Sequence, residues 1–192
     1  MCYSTFMEII ISKLKSAATA TVILFASVGG VCSQSYDLDV LFDRLQKVDA
    51  VDATALEAKI VLEWSKSGSA AFDLLLTQAK IAIDAQDHKM AMQHLNALTD
   101  HAPNFAEGWN LTAATLFNMG KIGPSLEAIE RTLALEPRHF RALEGLVFIL
   151  EDSGLYKDAF DVVLMIGSIH PHAEILSKSR DRLEVKIQGQ AL

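Results

Sequence analysis

The chain has 192 residues, enough for one domain that buries roughly two thirds of the surface its unfolded form exposes. Leu, Ala and Ile dominate its apolar residues and β-branched runs are rare outside the N-terminus, so the composition favours helices over strands. The 24 acidic and 17 basic residues leave a formal charge of -7, spread along the chain rather than gathered in a tail; such a surface repels phosphate backbones and argues against nucleic acid as a partner.

Residues 1–33 have the layout of a secretory signal. Lys13 and Lys15 precede an apolar, small-residue run from Ala17 to Val31, and Val31-Cys32-Ser33 offers a cleavage point after Ser33. Met7 is an alternative start, because the six residues before it add neither charge nor hydrophobicity suited to a signal. A membrane anchor is the competing interpretation, but about 15 apolar residues fall short of the roughly 20 that span a bilayer, so no stable anchor is expected after cleavage. Lipid attachment at Cys32 is disfavoured by the bulk of Val31. The expected location is therefore the periplasm. Both cysteines, Cys2 and Cys32, fall within this segment, which leaves no disulfide, zinc cluster or catalytic thiol for the exported chain.

In 34–71 two helices are expected. The first starts at Asp37, with Leu38, Leu41, Phe42 and Leu45 at helical spacing; the second runs over about 52–67, with Leu56, Ile60 and Trp64 in a stripe and Gly68 as its stop. This pair reads as an N-terminal helical cap that packs Trp64 on the unit following it.

From Phe72 to Ala173 a pattern recurs every 34 residues without insertion or deletion, in units 72–105, 106–139 and 140–173. In the middle unit Trp109, Thr112, Ala113 and Leu116 share one helix face, Gly120 ends that helix, Pro124 opens a second at its first position, and Pro137 closes it. Leu143, Leu146, Val147, Leu150, Gly154, Ala159 and Pro171 fill the same slots one period later, and Leu75, Gln78, Ala79, Ala82, Gln86, Ala91 and Pro103 one period earlier. Expected helices cover about 70–85 (capped by Ser69), 88–101, 105–119, 124–135, 140–153 and 156–169. Where the two helices of a unit cross, Ala79 and Ala91, Ala113 and Ser125, and Val147 and Ala159 are expected to face each other, because small side chains let the axes approach. A last helix over about 173–186, within the segment 174–192, has one apolar and one charged side and suits a terminal cap.

The period and these slots resemble the tetratricopeptide repeat over about half of the chain. Ser125 and Thr132 stand where the family usually has alanine, and the first unit lacks the aromatic and the glycine. The resemblance implies an all-α superhelix, a short solenoid with N- and C-terminal capping helices, acting as a non-catalytic protein-binding scaffold, which the expected signal would place in the bacterial cell envelope. It also implies a concave groove lined by the first helix of each unit: Asp73, Leu76, Lys80, Ile83 and Asp84; Glu107, Asn110, Ala114, Phe117 and Asn118; Arg141, Glu144, Phe148, Glu151 and Asp152. Acidic groups with apolar anchors suit a protein or peptide segment carrying apolar and basic residues. The alternative is that Phe117 and Phe148 are buried against the caps and the carboxylates form a solvated face. A second functional alternative is a structural protein whose repeats mediate homo-oligomerisation. Some family members clamp a chaperone's C-terminal carboxylate with Lys, Asn and Arg across three units; Leu76, Asn110 and Glu144 in one slot and Lys80, Ala114 and Phe148 in another do not reproduce that clamp.

No metal or other cofactor is expected. The six histidines, His88, His94, His101, His139, His170 and His172, include no i, i+4 pair, and His101 and His170 read as helix-end residues facing the dipole. No phosphate loop, Gly-x-Ser-x-Gly or His-Glu-x-x-His is present, and carboxylate neighbours such as Glu151-Asp152 lack a partner base, so catalysis has no foothold. Asn110-Leu111-Thr112 fits a glycosylation sequon but falls in mid-helix.

Overall fold

The computed structural model describes residues 37–190; the segment 1–33, expected to be a secretory signal, lies outside the described residues. Among the described residues all regular structure is helical: α1 Leu38–Leu45, α2 Ala50–Trp64, α3 Ala70–Asp84, α4 His88–His101, α5 Ala106–Asn118, α6 Ile122–Leu135, α7 Phe140–Asp152, α8 Tyr156–Ile169 and α9 Glu174–Gln190. Helices α3 to α8 form three antiparallel pairs. Each pair packs on the next, α4 against α5 and α6 against α7, while α9 closes the far end on α8. This is an all-α solenoid of the tetratricopeptide type.

The turn inside each pair shows why the sequence recurs in phase. Gln86, Gly120 and Gly154, one period apart, all have positive φ, at 59°, 71° and 72°. Each donates its N–H three residues back, to Ile83, Phe117 and Glu151. The next residue in each turn, Asp87, Lys121 or Leu155, donates to a carbonyl five residues back, on Ala82, Leu116 or Leu150. One left-handed residue thus reverses the chain identically three times, and only the first unit does so without glycine.

At the crossings the small slots are closed: Ala79, Ala91, Val147 and Ala159 are fully buried and Ala113 nearly so. Ser125, also fully buried, donates its hydroxyl to the Ala113 carbonyl across the crossing at 2.8 Å. That bond lets a serine occupy a slot where an unpaired hydroxyl would be costly. Thr132 pairs with the Ala128 carbonyl of its own helix in the same way.

Several helix ends differ from expectation for local reasons. Helix α2 begins at Ala50 because the Asp49 carboxylate accepts the Val51 and Asp52 N–H groups, and it ends at Trp64. Ser69 occupies the N-cap position of α3 without a side-chain bond, while Asp73 reaches back to accept both the N–H and the hydroxyl of Ser67. Pro124 is the third residue of α6 rather than the first, still within the turn whose N–H groups need no helical partner. Helix α9 runs on to Gln190.

The larger correction concerns the N-terminal pair. Trp64 does not pack on the first unit; its ring lies flat on His139, with centroids 4.0 Å apart and planes 10° apart, and tilts against Phe140 and Phe42. Helices α1 and α2 therefore cross the junctions between units instead of extending the stack. Arg138 bonds Asp39 at 2.8 Å with its guanidinium over the Phe42 ring, Gln46 donates to the Ser168 carbonyl, and His172 Nε2 donates to the Val48 carbonyl. Leu41, Phe42, Leu45, Leu56 and Ile60 join the same core as the second and third units. Helix α2 makes no extended contact with α3.

Gln86 tests the turn argument. A non-glycine residue in the left-handed region costs roughly 1–2 kcal/mol, so Gln86→Gly is expected to raise the free energy of urea unfolding by about 1 kcal/mol. A neutral or destabilising result would mean that this turn carries no strain.

Candidate functional site

The groove residues expected from the sequence divide into two groups. Most of those of the first unit, and Glu107 of the second, are tied into the structure. Asp73 serves the Ser67 turn, Leu76 is buried, Ile83 is half-buried, and Asp84 is exposed at the helix end. Glu107 is only 3% exposed and is surrounded by donors: Asn110 Nδ2 at 3.0 Å, His139 Nε2 at 3.2 Å and Lys80 Nζ at 3.7 Å. Lys80 also donates to Ser65 Oγ at the end of α2. His139 Nδ1 accepts the Ala142 N–H as the cap of α7, so the proton sits on Nε2 and is directed at Glu107. This network fastens α2 to the junction between the second and third units; it does not face an open groove.

The second group does line a cleft. Asn110, Ala114, Phe117 and Asn118 from α5 face Arg141, Glu144 and Phe148 from α7 across a space of about 220 Å³, floored by Ala113, Ser125, Ile129 and Ile149. Period 34 places them there: positions 110, 114 and 117 lie on the same face of α5 as 144, 148 and 151 on α7. Phe148 is 54% exposed and Phe117 half-buried, so these rings are not covered by the caps. Asp152 is exposed beyond the cleft. Glu151 bonds Arg182 of α9 at 2.8 Å and so anchors the C-terminal cap.

Two carboxylates that the repeat pattern did not place complete the acidic side. Glu57 of α2 and Glu174 at the start of α9 join Arg141, Glu144 and His170 around an adjoining space of about 430 Å³. Glu57 lies 3.7 Å from Arg141 and 3.3 Å from His170 Nε2. Burial, together with the charges of Glu57 and Glu174, pushes the Glu144 carboxyl above its usual range, against the pull of Arg141. The sequence carried no sign of Glu57's part, because α2 falls outside the repeat.

Among the described residues no group of three or more His, Cys, Asp or Glu is gathered as metal ligands would be, and no helix is long and apolar enough to cross a membrane. His139, His170 and His172 are instead engaged between the N-terminal pair and the unit junctions. His101 closes α4 and is exposed.

No family model matches the chain. It is 40% identical, over 118 residues, to a TPR repeat-containing protein of Rhizobium etli; the match covers 61% of this chain and 58% of that relative, so the chain spans less than two thirds of the relative's length. The in-phase helix pairs, their recurring left-handed turns and this likeness are those of tetratricopeptide repeats.

Proposed function

We propose that the chain is a non-catalytic protein-interaction scaffold whose cleft between α5 and α7 takes a partner segment with an apolar residue beside a basic one. The export signal expected over residues 1–33 would put that scaffold in the cell envelope. The observation that carries the reading is Phe148, an aromatic ring more than half exposed on the cleft wall, with Phe117 across from it and Glu144 one turn away. Covering such a ring stabilises a complex by roughly 1.5–3 kcal/mol when burial is complete. A Lys or Arg beside it would meet Glu57, Glu174 and Glu144, whose carboxyl is held raised by burial first and then by the charges of its two neighbours. The tetratricopeptide architecture and the likeness to a repeat-containing relative support a binding role of this class.

Fluorescence-anisotropy titration with short synthetic peptides that pair Lys or Arg with Leu or Phe tests this. Phe148→Ala is expected to weaken binding on the order of tenfold, and peptides with Glu in place of the basic residue are expected to bind more weakly still. Equal affinity for the variant and the parent, or for the two peptide charges, would overturn the reading.

The raised Glu144 carboxyl also gives a pH dependence. The folded chain holds that proton more tightly than the unfolded one, so the stability associated with it is complete below the ordinary carboxylate range and is lost as pH rises through the raised value. Glu144→Gln is therefore expected to melt above the parent at neutral pH, with the margin closing toward about pH 4. A margin that does not change with pH would contradict the assigned cause.

A further inference from the structure

The first unit leaves uncovered a helix face that the other two units bury. In the second unit, Gly108, Thr112 and Thr115 are buried under the preceding pair; a Cβ on Gly108 would lie 3.3 Å from Leu98 of α4. In the third, Ala142, Leu146 and Ile149 are buried in the same slots, behind α6. One period earlier these slots are Leu74, Gln78 and Ile81 of α3. Leu74 is 59% exposed, Ile81 55%, and Gln78 is exposed between them. Among the described residues nothing covers them, because Trp64 draws α2 aside onto His139.

The order of side chains on this face identifies what covers it. At helical spacing the stripe reads Ala71, Leu74, Gln78, Ile81, Ala85: small, large, amide, large, small, and the same from either end. A two-fold axis at Gln78 would set Leu74 of one chain against Ile81 of the other and Ala71 against Ala85, as an isologous interface requires. The two Gln78 amides, each donor and acceptor, would pair at the axis. None of the five residues is charged, so two copies of an acidic chain can meet here without placing like charges on the axis. The opposite end of the solenoid offers no matching face for head-to-tail growth, since α9 presents exposed Lys178, Arg180, Asp181 and Glu184. We infer that α3 is the contact of a two-fold homodimer, in which each copy supplies the helix that the other's first unit lacks. The α5–α7 cleft plays no part in this contact, so the inference stands apart from the proposed partner binding.

Sedimentation equilibrium of the full chain is expected to give the mass of two chains. Leu74→Glu with Ile81→Glu is expected to weaken association on the order of 100-fold, through unpaired charge at a buried contact. The monomeric variant should melt no lower than the parent diluted until it too is monomeric, because both side chains are solvent-exposed within one copy. With Cys2→Ser and Cys32→Ser in place, Gln78→Cys is expected to form a disulfide across the axis under mild oxidation. A monomeric parent, a dimer that survives the double substitution without the Gln78→Cys cross-link, or a variant whose melt collapses because the chain's own residues cover the face would each overturn the inference.

Discussion

The stack of Trp64 on His139 is the contact from which the chain's individual features follow. His139 is fully buried, caps α7 through Nδ1 and directs its Nε2 proton at Glu107, so the Trp64 ring meets a surface whose orientation is fixed on both sides. An aromatic pair of this kind contributes about 0.5–1.5 kcal/mol beyond its buried area. Its larger effect is geometric. It lays α2 across the unit junctions, carries Glu57 to the edge of the cleft beside Arg141, and leaves the outer face of α3 open. Glu107, a buried carboxylate, is tolerable because Asn110, His139 and Lys80 surround it; without them its desolvation would cost several kcal/mol.

Within the solenoid the constraint is one of phase. Each unit must cross its two helices at small residues and then turn through one left-handed position, so that the next unit meets the same surface. The chain keeps this phase where individual residues depart from the family's preferences. Ser125 keeps its slot by bonding the facing Ala113 carbonyl, and Gln86 accepts the left-handed turn that glycine takes in the other units. Stability is then local, each pair resting on its neighbours, and the ends are where the pattern is free to vary.

The repeated part of the fold was legible because it is stated three times. The 34-residue period placed α3 to α8 within a few residues, and it set Phe117, Glu144 and Phe148 on one cleft. The N-terminal pair was legible as two helices but not in its position, since one copy of a pattern gives no ruler and the contact of Trp64 with His139 spans 75 residues of sequence. For the same reason Glu57 could not be foreseen beside Glu144. Glu107 looked like a groove acid because its slot faces inward; that it is buried depends on α2, His139 and Lys80 together. The open face of α3 became visible only when equivalent slots were compared for burial, as the identities of Leu74 and Ile81 suit a buried position equally well.

The position of the N-terminal pair is the claim on which the cleft's acidic edge and the open α3 face both rest. In a chain with Cys2→Ser and Cys32→Ser, Gln46→Cys and Ser168→Cys should be joined within one molecule by a short bifunctional thiol reagent, because Gln46 bonds the Ser168 carbonyl in the folded chain. Efficient intramolecular joining at that pair is the predicted result. Joining instead between Leu62→Cys of α2 and Leu74→Cys of α3, with none between positions 46 and 168, would place α2 in line with the solenoid and contradict the account.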